Sequence, residues 1–123
     1  MSRIFIVEDD ADIVGLATRW LERAGHTVQR AADGPSALKL LEGEPLPDLV
    51  LLDVMLPKLD GFEVLRRLRL APRTRHLPVI MVTSFTRDKD VARGRELGAN
   101  DYIVKPLMEL DFLKRVDHIL KDE

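Results

Sequence analysis

Three short runs of apolar residues, each ending abruptly in polar ones, organise the hydrophobic pattern of this chain. In the most pronounced, Asp48-Leu49-Val50-Leu51-Leu52-Asp53-Val54-Met55-Leu56-Pro57, the apolar stretch is too short for a helix and is closed by a proline, which predicts a strand buried on both faces. Ile4-Phe5-Ile6-Val7 stops at Glu8-Asp9-Asp10, and Pro78-Val79-Ile80-Met81-Val82-Thr83 stops at the hydroxyls of Thr83 and Ser84. Two weaker segments, Thr27-Val28-Gln29-Arg30-Ala31 and Tyr102-Ile103-Val104, read as edge strands.

Between these runs the apolar positions recur at helical spacing. Ile13, Leu16, Ala17, Trp20, Leu21 and Ala24 predict a first helix over residues 11–24, with Gly25 as a left-handed cap. Pro35 suits the first turn of a second, carrying Ala37, Leu38 and Leu41. Asp60 and Glu63 resemble a capping box opening a third, with Phe62, Leu65 and Leu68 inward and Pro72 at its end. Residues 88–97 predict a fourth, weakly determined because its apolar positions are few and Gly94 costs about 1 kcal/mol against alanine. Leu110, Leu113, Val116 and Leu120 mark the last.

Five strands alternating with five helices imply an α/β fold: one flavodoxin-like, doubly wound domain over residues 1–123, with a parallel sheet of order 2-1-3-4-5. Ligands of such sheets bind beyond the carboxyl ends of the strands, where the winding reverses between the first and third. Those two strands end in Glu8-Asp9 and in Asp53.

Composition narrows the function classes. The chain has 123 residues, 46% of them apolar, a net charge of -2 and no cysteine. A general nucleic-acid or membrane binder would carry a strong positive balance. The basic run from Arg66 to His76 has no interleaved aromatic platform and reads as a solvated helix end suited to the helix dipole. His26, His76 and His118 show no metal-ligand spacing. No segment has the length of a signal peptide or membrane span, and a cytoplasmic setting is expected. Since no DNA-binding or catalytic domain follows Glu123, the expectation is a stand-alone domain or one excised from a longer protein.

The strand ends carry the chemistry. Topology brings Glu8, Asp9 and Asp53 to one crevice with the Thr83 hydroxyl and the Lys105 ammonium. Three adjacent carboxylates oppose one another's ionisation unless a cation joins them, and oxygen-only ligands favour Mg2+. A hard cation beside a carboxylate, with an ammonium and a hydroxyl opposite, suits phosphoryl oxygens.

These residues, with Pro57-Lys58-Leu59-Asp60-Gly61 and Tyr102-Ile103-Val104-Lys105-Pro106, resemble the receiver domain of two-component response regulators, the CheY-like superfamily, over essentially the whole chain. The resemblance implies a phosphoacceptor signalling domain rather than an enzyme with an external substrate. Asp53 would take a phosphoryl group from a sensor histidine kinase or histidine phosphotransfer protein, and Lys105 would stabilise its charge. Asp9, Asp53 and the main-chain carbonyl of Met55 would ligate Mg2+, with Glu8 acting through bound water. Thr83 and Tyr102 would form the switch to the surface of the fourth helix, fifth strand and fifth helix, read by an unknown downstream effector. Lys105-Pro106 resembles the family's cis bond. A phosphorylation-dependent dimer belongs to the winged-helix branch, which Asp101 and Arg115 match while Val91 and Asn100 depart from its pattern.

Met55 and Phe85 stand where the family flanks the path of the hydrolytic water, and their bulk implies slow dephosphorylation. The competing readings are a degenerate receiver that binds partners without phosphorylation, and a haloacid-dehalogenase-type phosphatase. The latter expects a second aspartate at the position of Met55.

Overall fold

The computed structural model describes residues 1–121. The apolar runs form strands β1 (Arg3–Val7), β2 (Thr27–Ala31), β3 (Leu49–Leu52), β4 (Val79–Thr83) and β5 (Asp101–Val104). Between and after them lie helices α1 (Ala11–Arg23), α2 (Gly34–Leu40), α3 (Gly61–Leu70), α4 (Asp88–Glu96) and α5 (Glu109–Lys121). The five strands make one sheet in the order β2-β1-β3-β4-β5, all pairs parallel, as the flavodoxin-like pattern predicts. The single domain expected over 1–123 includes residues 122–123, which lie outside the described residues.

Side-chain alternation along each buried strand divides the core between the two faces of the sheet. Phe5, Val7, Val50, Leu52, Val79 and Met81 pack with Phe62, Leu65 and Leu68 of α3 on one face. Ile4, Ile6, Leu49, Leu51, Ile80 and Val82 pack with Ala17, Trp20, Leu21, Phe112 and Val116 of α1 and α5 on the other. Leu16 and Leu110 fit the helical spacing in sequence but are exposed, and α5 instead buries Phe112. Among the described residues no helix is long and apolar enough to cross a membrane.

Helix starts follow local chemistry. Asp10 caps α1 by accepting from Asp12 N–H, and Asp33 caps α2 by accepting from Ser36 N–H. Asp60 caps α3 through Glu63 N–H at 2.9 Å, but the reciprocal half of the expected capping box does not form. The Glu63 carboxylate turns to Arg66 and Arg67 instead, because charge-assisted bonds to guanidinium outweigh a bond to a neutral N–H.

Arg66, Arg67, Arg73, Arg75 and His76 are exposed, as expected of a solvated face, while Arg69 departs from it. Arg69 is half-buried and donates to the carbonyls of Leu77 and Gly98, while Arg73 donates to those of Leu41 and Gly43 and to Glu44. These arginines tie loop and turn carbonyls together. The peptide bonds Lys105-Pro106 and Glu44-Pro45 are both cis.

Candidate functional site

Hydrogen bonding of the sheet continues one step past the strands and thereby aligns the polar residues at their ends. Asp53 N–H donates to the Val7 carbonyl, Glu8 N–H to that of Ala31, and Lys105 N–H to that of Thr83. The backbones of three chemically distinct residues are thus anchored to neighbouring strands.

Glu8 and Asp53 are almost fully buried, at 3% and 4% exposure. The Lys105 ammonium joins them, 2.8 Å from Glu8 Oε1 and 3.0 Å from Asp53 Oδ2. Met55 N–H donates to Asp53 Oδ1 at 3.2 Å, and Asp10 N–H to Glu8 Oε2 at 3.2 Å. Asp9 is exposed, yet one oxygen from each of Glu8, Asp9 and Asp53 lies within 4.8 Å of the others.

Burial, reinforced by the Asp53 charge, pushes the Glu8 carboxyl up to about 7 against the opposing pull of Lys105. Burial alone would lower Lys105, but its bonds to Glu8 and Asp53 outweigh that and raise it. The ammonium stays charged, as a group facing two carboxylates should. The donor set fits a hard divalent cation: three carboxylates within reach of one point, and exposed Asp9 leaving a side open to water.

Two glycines hold the scaffold behind Asp53. A Cβ on Gly61 would overlap the Asp53 carbonyl oxygen, so only glycine lets the start of α3 close against the end of β3. A Cβ on Gly34 would lie 2.6 Å from the Leu59 carbonyl oxygen, fastening α2 to the same loop.

The switch candidates are connected through one residue. Thr83 is fully buried at the end of β4, and its Oγ1 accepts from Phe85 N–H at 3.4 Å. Half-buried Tyr102, on β5, donates from its hydroxyl to the Phe85 carbonyl at 3.0 Å. Burial, with the charges of Asp90 and Asp53, pushes the Tyr102 hydroxyl up to about 12, so it remains a donor. Phe85 and Met55 line a cleft of about 480 Å³ between α3 and α4, where the Arg93 guanidinium sits 4.7 Å above the Phe62 ring.

The predicted site residues gather at the carboxyl end of the sheet, except Tyr102, which lies earlier on β5 opposite Met81 and reaches the Phe85 carbonyl with its hydroxyl. Glu8, Asp9, Asp53 and Lys105 form the centre, while Thr83 and Tyr102 meet at Phe85 beside it. The residue that sequence reasoning missed is Arg30. Its guanidinium donates to the main-chain carbonyls of Glu8, at 3.2 and 3.0 Å, and Asp9, at 3.1 Å. A single charge in an edge strand carries no sequence signal of such a role, because charged residues commonly blunt edges.

The family model for the response regulator receiver domain matches residues 4–117. The chain belongs to this family. Among its relatives is the transcriptional regulatory protein AfsQ1 of Streptomyces coelicolor, 46% identical over 98% of this chain and 52% of that protein. The receiver domain thus spans about half the length of the curated relatives it matches. Two solved structures illustrate the likeness. The Mn2+-bound response regulator Rcp1 is 33% identical with a TM-score of 0.83, over 97% of this chain and 91% of that one. The phosphorylated cyanobacterial phytochrome response regulator RcpA is 32% identical with a TM-score of 0.84, over 96% and 90%. This receiver domain is accordingly a signalling domain of two-component regulatory systems.

Proposed function

We propose that this receiver domain accepts a phosphoryl group on Asp53, as one unit over residues 1–123, from a phosphohistidine of a sensor kinase or phosphotransfer protein. The observation that carries the reading is the Lys105 ammonium held between the buried carboxylates of Asp53 and Glu8, with Asp9 close by. An Asp53 oxygen attacks phosphorus, the P–N bond breaks, and the imidazole leaves with its electron pair and takes a proton. The product is a mixed anhydride on Asp53.

Asp9, Asp53 and the Met55 carbonyl would hold Mg2+, with Glu8 reaching it through water. The ion supplies Lewis-acid neutralisation of the transferring oxygens. Lys105 is positioned to follow the developing charge from Asp53 to the phosphoryl group, and Thr83 to donate to it afterwards. The similar regulators Rcp1 and RcpA, solved with Mn2+ and in phosphorylated form, support both parts of the reading.

The output surface in this reading is α4, β5 and α5, reached from Thr83 through Phe85 and Tyr102. Arg115 pairs with Asp101 within the chain at 3.0 Å, so a phosphorylation-dependent dimer through this face would exchange that pair for one between copies. The proposed setting is the cytoplasm, where the kinase's phosphohistidine is presented.

Incubation with acetyl phosphate and Mg2+ followed by intact mass measurement tests the proposal. One phosphoryl adduct is expected, absent in Asp53→Asn; an adduct that survives Asp53→Asn rejects this site. Hydrogen exchange with beryllofluoride tests the output, and unchanged protection over residues 84–104 rejects the switch.

A further inference from the structure

The segment that carries Glu8 and Asp9 is restrained from four directions. Glu8 N–H is bonded to β2, the Glu8 carboxylate to Lys105, and Asp10 to the start of α1. The fourth restraint is Arg30, which reaches past the end of β2 and binds two consecutive carbonyls of the loop with one fork. Those carbonyls belong to the peptide units on either side of the Asp9 Cα, and their orientation sets the direction from which the Asp9 side chain leaves the backbone.

The electrostatics of this contact are unusual. A cation beside a cluster meant for another cation is unfavourable if it occupies the carboxylates. Among the described residues, however, Arg30 makes no ion pair with Glu8 or Asp9; all three bonds go to main-chain oxygens. Arg30 therefore takes up none of the carboxylate oxygens of Glu8 or Asp9. A typical hydrogen bond contributes only about 0.5–1.5 kcal/mol net, so these bonds contribute modestly to stability. Their larger effect is geometric: they pin the one exposed ligand of the cluster, whose side chain is held by no neighbour among the described residues.

We propose that Arg30 is a positioning residue for the divalent cation, holding the Glu8-Asp9 backbone so that the Asp9 carboxylate meets that of Asp53. The inference rests on the reading of Glu8, Asp9 and Asp53 as the metal-holding set. It predicts that the fork, rather than the charge, matters. A lysine keeps the charge but cannot span two carbonyls in fixed planar geometry.

The test is calorimetric titration of Mg2+ into the full chain as wild type, Arg30→Gln, Arg30→Lys and Asp9→Asn, well below each protein's melting temperature. Positioning predicts about tenfold weaker binding in Arg30→Gln, the size expected for loss of a partner that orients a ligand. Arg30→Lys should weaken binding as well. A pure charge effect has the opposite sign, since removing a nearby cation strengthens Mg2+ binding. Unchanged or tighter binding in Arg30→Gln, or wild-type affinity in Arg30→Lys, overturns the proposal. If Arg30→Gln fails to fold, Arg30→Lys decides alone. Absence of wild-type binding, or full affinity in Asp9→Asn, instead overturns the underlying metal assignment, and either is read without any Arg30 variant.

Discussion

The ring of Tyr102 occupies the space that a side chain at Gly94 would need: a Cβ there would lie 3.2 Å from Tyr102 Cδ2 and 3.3 Å from Cε2. The helix-weakening glycine of α4 is therefore the complement of the aromatic on β5. The Tyr102 hydroxyl is tied to the Phe85 carbonyl, which limits how far the ring can retreat. Gly94→Ala is expected to destabilise by about 1 kcal/mol, because the crowding outweighs the gain in helix propensity. In a Tyr102→Ala background the same change should stabilise by about 0.5–1 kcal/mol. Urea denaturation of the four proteins checks the reversal of sign.

Gly61 and Gly15 make a contrasting pair. Gly61→Ala would drive a methyl into the Asp53 backbone and is expected to cost about 3 kcal/mol and to abolish phosphoryl acceptance. Nothing lies within 4 Å of a Cβ on Gly15 in α1, so Gly15→Ala should stabilise by about 1 kcal/mol. Thermal melting with acetyl phosphate labelling separates the two.

The sheet and the central site were legible because burial on both faces leaves uninterrupted apolar runs, and a charge at the end of such a run has to be accounted for. Glu8, Asp53 and Lys105 announce themselves in this way. Sequence cannot choose Phe112 over Leu110 for the inner face of α5, because in its first turn neighbouring apolar positions both fit a helical stripe and packing decides between them. Arg30, Arg69 and Arg73 were opaque for a different reason. Their partners are main-chain carbonyls, which every residue type presents, so no sequence pattern marks the contact.

Arg69 is expected to be the most costly of the surface-facing arginines to remove. It ties the carbonyls of Thr74, Leu77 and Gly98 and the Asn100 side chain, linking α3 to the approaches of β4 and β5. Arg69→Met should destabilise by about 3 kcal/mol by leaving several acceptors unpaired, and Arg69→Lys should recover only part. Denaturant midpoints check this, with Arg75→Met as the near-neutral comparison.

Glu8 introduces a pH dependence in the metal-free protein. Its ordinary value is 4.5 and its folded value about 7, so within that window the native state holds a proton the unfolded chain has released. Stability from this group is full below the window and is lost as pH rises through it. Mg2+ binding needs the carboxylate ionised, so affinity should rise over the same interval. The difference in melting temperature between wild type and Glu8→Gln, followed from about pH 4 to about pH 8, should slope accordingly. A flat difference would contradict the assignment.

If Asp53 is the phosphoacceptor, Phe85 and Met55 are expected to lengthen the life of its phosphoryl group. Phe85 packs partly against the core, while Met55 is 59% exposed, and neither side chain offers a hydrogen bond to orient an attacking water. Phe85→Ala and Met55→Asn are each expected to shorten the lifetime of the adduct by about tenfold, equivalent to about 1.4 kcal/mol of barrier. Decay of the mass-detected adduct after removal of phosphodonor measures it, and an unchanged half-life in both variants would reject the steric account.

The Lys105 ammonium, seated between Glu8 and Asp53, gives the resting domain a built-in placeholder for the positive charge its site requires. Three carboxylates against one ammonium leave two negative charges when all are ionised, the amount a divalent ion cancels. In the proposed cycle, uptake of a divalent ion would bring this cluster to neutrality, and a phosphoryl group arriving on Asp53 would then unbalance it with the tethered lysine already within reach.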